Sequence, residues 1–170
     1  MIRPATIRDA KSICGIYNYY VNHTVVTFEE IPVSISEMEG RVKTVLSKYP
    51  WLVWEEEGEI LGYAYVNTWR DRASYRYSAE DSLYIKNGAG GRGIGKKLLA
   101  ALLEGAQKTG LHVLVAGITL PNERSVALHE QFGFKKTAEF FEIGYKMDQW
   151  LNVGYWQLIL KDRQERGTPL

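Results

Sequence analysis

Glu80 and Asp81 stand side by side in "YSAEDSLYIK", and the glycine-rich stretch "NGAGGRGIGKKLL", Asn87 to Leu99, follows at once. The first stretch reads as a strand, with Leu83 and Ile85 alternating against Ser82 and Tyr84. The second carries five glycines in nine residues, then turns into a basic, leucine-rich helical pattern. At a strand-to-helix junction free backbone N–H groups point outward and the helix dipole favours an anion. Glycines let a phosphate reach that backbone with no Cβ in the way. Gly90, Gly91, Gly93 and Gly95, with Arg92 between them, could form an anion nest, and Lys96 and Lys97 add positive charge. Glu80, on the strand leading into the nest, is either a base for a bound substrate or a solvated, ion-paired strand residue. Strand alternation sends Asp81 to the opposite face.

Three phosphate-binding readings compete with a plain tight turn. A Walker loop ends in Gly-Lys-Ser or Gly-Lys-Thr; here the residues are Gly95, Lys96 and Lys97, with no hydroxyl for magnesium. A dinucleotide fingerprint opens an early βαβ unit, and this run falls mid-chain. The third reading is a pyrophosphate cradle for coenzyme A, with the preceding strand splaying to admit the pantetheine arm. Farther on, Asn122 and Ser125 open a short helix, where Asn122 suits an N-cap. His129 on that helix could move a proton near neutral pH or simply hold a neighbour. Arg70, Arg72 and Arg76 precede Glu80, as forks for a carboxylate or as a basic surface loop.

The 170 residues suit one domain with a real core. A formal net charge of +1 gives no electrostatic case for nucleic acid or an anionic membrane. No window stays apolar for about 18 residues, and "MIRPATIRDAKSI" lacks the apolar run of a secretory signal. Cys14 is the only cysteine, which rules out an internal disulfide and a cysteine-based metal site; His23, His112 and His129 have no ligand spacing. The expectation is a cytoplasmic protein with no metal. Eleven Tyr and five Trp suit the walls of a small-molecule pocket as well as a core.

The elements that must position these residues follow from periodicity. Residues 2–7 read as a short strand, and Asp9 as the cap of a helix bearing Ile13, Ile16, Tyr17 and Tyr20. "NHTVVTFEEIP" is a loop; Ser34 and Glu37 have capping-box spacing before a second helix with Met38, Val42, Val45 and Leu46. "WLVWEEEGEILGYAYVNTW" reads as two strands around Glu57–Gly58. The helix after the glycines carries Ile94, Leu98, Leu99, Leu102 and Leu103, and Gly110 closes it. "LHVLVAGI" reads as a strand buried on both faces. A short helix runs from about Asn122 to Gly133, and "KKTAEFFEIGYKM" and "VGYWQLIL" supply the last strands. Strands and helices alternating in one chain indicate an α/β architecture, a mixed sheet with helices on its faces.

"LYIKNGAGGRGIGKKLLAALL" resembles the acetyl-CoA-binding segment of the GCN5-related N-acetyltransferases. That family's pattern is Gln or Arg, two residues, Gly, one residue, then Gly or Ala. Gly93 and Gly95 match its glycines; Gly90 stands where Gln or Arg is usual, leaving Arg92 to compensate. The resemblance spans about residues 1–160 and is nearest the phosphinothricin and methionine sulfone/sulfoximine acetyltransferase branch. "TVVTFEEIP", "YRYSAEDSLYI", "LPNERSVALHEQFGF" and "GYKMDQWLNVGYWQL" carry that narrower likeness. In the last of them Gly144, Lys146, Trp150 and Leu151 keep the branch's spacing, and Asn152 stands where Asp is common.

The resemblance implies a single N-acetyltransferase domain at 1–160, a polar tail at 161–170, and a mixed, mostly antiparallel sheet with helices on both faces. It implies acetyl-CoA as cofactor, cradled by Leu83, Tyr84, Ile85, Gly90, Gly91, Arg92, Gly93, Ile94, Gly95 and Lys96, with Asn122 and Ser125 on the pantetheine side. Transfer to an amine needs a base, a polarised thioester carbonyl and, in some enzymes, an acid for the departing thiolate. Glu80 matches the branch's base, provided its pKa rises above the ordinary value of about 4.3. A backbone N–H near Tyr84 or Ile85 is expected to polarise the carbonyl. His129 stands where the broad family often has a Tyr acid; it is either that acid or a structural contact.

Phe28, Glu29, Trp69, Arg72 and Arg76 are expected at the acceptor site, with the arginines holding a carboxylate and Tyr63 as a further wall. The implied reaction is direct transfer of acetyl to the α-amine of small amino-acid-like acceptors. Rivals are another amine (polyamine, aminoglycoside or protein N-terminus) and a non-catalytic acyl-CoA sensor. The expected partner is a small molecule rather than nucleic acid or membrane, with a homodimer formed through "YKMDQWLNVGYW".

Overall fold

Alternation along the strands sorts the core into two layers, one on each face of a single sheet. The computed structural model describes residues 1–160. Among them run β1 (Ile2–Pro4), α1 (Ala10–His23), α2 (Ile35–Leu46), β2 (Trp51–Glu56), β3 (Glu59–Thr68) and β4 (Ser78–Ile85). α3 (Ile94–Gln107), β5 (Val113–Leu120), α4 (Glu123–Gln131), β6 (Lys135–Lys146) and β7 (Gln149–Ile159) follow. The strands form one sheet in the order β1-β2-β3-β4-β5-β7-β6. Only β4 and β5 are parallel neighbours; the other pairs are antiparallel. Leu52, Trp54, Ala64 and Val66 pack with Leu98, Leu99 and Leu102 of α3. The alternate residues Trp51, Val53 and Tyr63 pack with Ile13, Val21, Met38 and Val42 of α1 and α2. This is the mixed, mostly antiparallel sheet with helices on both faces that the sequence leads one to expect.

Local chemistry sets most of the boundaries. Ser34 Oγ accepts from the Glu37 N–H at 3.1 Å and opens α2; Asn122 Oδ1 accepts from the Ser125 N–H at 3.2 Å and opens α4. Three expectations shift. The first strand stops at Pro4, and the Asp9 carboxylate does not cap α1. It accepts from the Thr6 N–H at 2.7 Å and from Arg3 at 2.8 Å, bracing a 3₁₀ turn at Ile7–Asp9. The last strand begins at Gln149, not Val153, because Met147 and Asp148 (φ 51° and 57°) turn the chain tightly enough to pair Lys146 with Gln149. β5 is fully buried along one face and only partly along the other. Leu114, Ala116 and Ile118 enter the core, whereas on the opposite face Val113 and Val115 are half-buried, Gly117 is exposed and Thr119 is buried, since α1 and α2 pack over β2, β3 and β4 rather than over β5. No helix among the described residues is long and apolar enough to cross a membrane. The polar tail expected at 161–170 lies outside the described residues.

The feature that makes the site is the short parallel ladder. β4 pairs with β5 only from Ser78–Glu80 against Val113–Val115. Beyond it β4 runs on to Ile85 and β5 to Leu120 with no bond between them, so the sheet opens into a cleft. The glycine segment leaves the end of one lip, and α4 leaves the end of the other.

Candidate active site

A cavity of about 1040 Å³ fills the cleft. Leu83, Tyr84 and Ile85 line it from β4, and Gly90, Gly91, Gly93 and Gly95 line its mouth. Gly91 and Gly93 have φ of 79° and 76°, a left-handed backbone that only glycine adopts without strain. Gly93 is the N-cap of α3 and no side chain caps that helix, so its first N–H groups face outward. Asn122 and Ser125 line the opposite wall from α4. A long slot between two unpaired strand ends, closed by an uncapped helix start, fits a pantetheine arm and a pyrophosphate. Three expected cofactor residues lie elsewhere. The Arg92 guanidinium turns to Glu56 on β2 at 2.7 and 2.8 Å, Ile94 is buried in the core against α3's own leucines, and Lys96 is exposed outside the cavity lining.

Glu80 lines the cavity at the last rung of the ladder, where β4 and β5 part. Its carboxylate makes no hydrogen bond among the described residues. Burial pushes its pKa up to about 7, the neighbouring Asp81 charge adds to the rise, and Arg70 opposes it. It lies across β5 at Gly117, where a Cβ would come within 2.8 Å of Glu80 Oε1 and 3.3 Å of the Tyr155 ring. A half-buried carboxylate titrating near neutrality, with no fixed partner, can take a proton from an ammonium group.

Asp81 points to the other face, as alternation requires, and there it meets His129. Nε2 of His129 lies 3.0 Å from Asp81 Oδ2, and Nδ1 lies 2.7 Å from the Ser125 carbonyl. A carbonyl and an ionised carboxylate only accept, so the two contacts favour the protonated form of the ring. Burial alone lowers the His129 pKa; the Asp81 hydrogen bond and charge, with the Ser125 carbonyl, outweigh it and leave the pKa raised. Side-chain exposures of 6% and 1% mark a dry ion pair. Both ring nitrogens are engaged within the fold, Nδ1 lying also 3.4 Å from Ser125 Oγ.

The acceptor-side residues separate. Phe28 lines the main cavity. Trp69 and Arg72 line a neighbouring cavity of about 630 Å³, with Arg70 and Tyr75. Tyr155 walls the main cavity and meets Trp69 edge-on at 5.6 Å, so the two cavities share that side. Glu29 lies outside both linings, its carboxylate held by Arg41 of α2 at 2.7 and 3.2 Å. Arg76 also lies outside, donating to the Ala73 carbonyl at 3.1 Å and stacking over Tyr77. Tyr63 is core, buried and stacked on Tyr84. The loop carrying Phe28 is clamped from β6. Buried Lys146 donates to the Thr27 carbonyl at 2.7 Å, and Phe28 packs so close over Gly144 that a Cβ there would fall 2.3 Å from its ring.

The model of the acetyltransferase (GNAT) domain matches residues 2–153. The chain belongs to the GNAT acetyltransferase family. It is 36% identical over 156 residues to the phosphinothricin N-acetyltransferase of Streptomyces viridochromogenes, covering 92% of this chain and 85% of that one. It is 37% identical over 162 residues to the L-methionine sulfoximine/L-methionine sulfone acetyltransferase of Salmonella typhimurium, covering 95% of each. The structure of yncA from Salmonella typhimurium with its cofactor acetyl-CoA superposes with a TM-score of 0.95 at 35% identity, over 99% of this chain and 98% of that one.

Sequence reasoning passed over several residues of this acetyltransferase's cleft. Gly117, Thr119 and Arg124 line it from β5 and α4, and Val153 and Tyr155 from β7. A glycine inside the apolar strand "LHVLVAGI" was a signal of close approach at Gly117. Tyr155 and Arg124 had none, because they reach the cleft only through strand order and the direction of α4.

Proposed function

We propose that this acetyltransferase moves the acetyl group of acetyl-CoA onto the α-amine of small amino-acid-like acceptors, by direct transfer, with Glu80 as general base. The observation that carries the reading is the Glu80 carboxylate at the fork of β4 and β5, unpaired and with its pKa pushed up to about 7. Acetyl-CoA, held by the β4 lip and the uncapped start of α3, supplies an acetyl group already activated as a thioester. Glu80 takes a proton from the acceptor ammonium, directly or through one water. The freed nitrogen forms the amide bond as the carbon–sulfur bond breaks, and the thiolate leaves. The cleft-facing edge of β4 beyond Glu80 has no strand partner, so its N–H groups there are the candidates to polarise the thioester carbonyl.

His129 acts in this reading by fixing α4 to β4 rather than by donating to the thiolate. Arg72, with Arg70 beside it, is the fork for the acceptor carboxylate, and Phe28 and Trp69 are walls. Glu29 contributes by anchoring the acceptor loop to α2 through Arg41. An acetyl-enzyme is not part of the reading: Cys14 is buried, with its thiol on the Val33 carbonyl at 3.0 Å. A reducing, cytoplasmic setting suits that single thiol. A homodimer through the β6–β7 hairpin is included, because Phe141, Ile143, Tyr145 and Trp150 are 74, 57, 53 and 63% exposed along that hairpin.

The test is thiol release from acetyl-CoA with methionine sulfone, methionine sulfoximine, phosphinothricin, ordinary L-amino acids, spermidine, an aminoglycoside and a short peptide. Release with the first three, abolished when their carboxylate is amidated, is expected. Release only with a cation or a peptide would leave the acetyltransferase intact and sink the acceptor assignment.

A further inference from the structure

The cations around the mouth of the cleft are not equivalent. Lys86 lines the cavity but its ammonium is held by Glu59 of β3. His129 lines it and is locked to Asp81. Arg92, inside the glycine segment, is committed to Glu56 and lies outside the lining. Arg124, in the first turn of α4, lines the cavity, is exposed, and has no carboxylate or other hydrogen-bond partner among the described residues. Its guanidinium crosses from α4 to the glycine segment. A Cβ built on Gly90 would lie 3.9 Å from Arg124 Nη1, and that is the nearest side chain it would meet. Gly90 itself offers no side chain to a ligand.

We propose that Arg124 is the phosphate-binding side chain of this cleft, reaching across from α4 to a phosphate group of coenzyme A seated over Gly90 and the start of α3. The proposal rests on the reading of the cleft as the acetyl-CoA site. A guanidinium presents a flat fork of donors that matches two phosphate oxygens at once. Without a carboxylate partner it gives up only water on meeting an anion, whereas Arg92 must first leave Glu56. Arg124 also joins two elements that the open ladder leaves apart, so a phosphate held between it and the glycines draws the two lips of the cleft together.

The experiment is calorimetric titration of the wild-type protein, Arg124→Gln, Arg124→Lys and Arg92→Gln with coenzyme A and with 3′-dephospho-coenzyme A, at low and high salt. Arg124→Gln is expected to weaken coenzyme A binding about 10- to 100-fold, the usual worth of a hydrogen bond to a charged group. Arg124→Lys should lose less, and Arg92→Gln less than Arg124→Gln. A loss that persists with the dephospho ligand assigns Arg124 to the pyrophosphate; a loss confined to coenzyme A assigns it to the 3′-phosphate. Wild-type affinity in Arg124→Gln, or a larger loss in Arg92→Gln, overturns the proposal while the cofactor site stands. No binding by the wild-type protein overturns both. Melting of the free variants controls for folding, and an exposed side chain without a partner leaves that melting unchanged.

Discussion

The two faces of β4 carry the same chemistry to opposite ends. Glu80 and Asp81 are adjacent carboxylates on one strand, the first half-buried and the second buried. Glu80 looks into an open cleft toward Gly117 and Tyr155 and has no hydrogen bond among the described residues. Asp81 looks under α4 and meets the His129 ring at 3.0 Å. Burial without a partner raises the first pKa to about 7; burial with a cation makes the second a fixture. What separates the unpaired carboxylate, proposed as the base, from the paired one is the residue opposite, and a strand's period of two delivers both from neighbouring positions. The pair is also coupled, since the Asp81 charge helps to raise Glu80.

The strongest break in that comparison is Glu80→Gln, which keeps the shape and removes the base. A fall in kcat of about 10²- to 10⁴-fold is expected, the usual contribution of a positioned general base. The base works as the carboxylate, so the wild-type kcat/KM should climb as pH rises through about 7, and this limb should vanish in the variant. A rate profile that keeps the limb in Glu80→Gln would assign it to another group. The same raised pKa makes ionised Glu80 a cost to folding, because the unfolded chain releases that proton at lower pH than the folded one.

On the other face, Asp81→Asn leaves a hydrogen-bond acceptor beside His129 and removes the counter-charge. A pair that raises the histidine pKa stabilises the fold fully below the unfolded value of about 6.5 and loses that effect as pH rises through the raised folded value. Asp81→Asn should therefore cost about 2 kcal/mol in urea denaturation near pH 6 and less at alkaline pH. Proton NMR of the His129 ring should show its titration moving down in the variant, since only burial and the Ser125 carbonyl then act on it. A wild-type His129 that titrates below the ordinary range would undo the raised pKa and the reading of this ring as a charged partner of Asp81.

The glycine run, the capping of α2 and α4 and the apolar alternation of β2 and β3 were all legible in the sequence, because each is a local pattern written over a few neighbouring residues. The place of Glu80 on the cleft wall was legible through its position before the glycines and through family resemblance. Partner choice was not. Arg92, Glu29 and Arg76 have the right charge in the right stretch, yet each is claimed by a neighbour: Glu56 on β2, Arg41 on α2, and the Ala73 carbonyl within its own turn. Those claims depend on which strands lie side by side. The same holds for Tyr155, brought to the cleft by β7 entering the sheet beside β5, and for the open face of β5, which composition alone marked as buried.

The smallest expected effect sharpens the comparison most, because it moves Glu80 without changing it. Gly117 is not in the left-handed region, so an alanine there meets no backbone strain and trims the freedom of the unfolded chain. Its Cβ, however, would stand 2.8 Å from Glu80 Oε1, and the flexible end of that side chain is what must give. Gly117→Ala should keep or slightly raise the melting temperature and lower kcat by about ten-fold, since a catalytic group displaced by a fraction of an ångström loses part of its alignment. Coenzyme A affinity should change little, because the glycine segment and Arg124 are untouched. An unchanged kcat would mean that the carboxylate works from a range of positions and that its raised pKa matters more than its place against β5. An equal loss of melting temperature and rate would instead make Gly117 a packing residue, leaving Glu80 unaligned by anything on that strand.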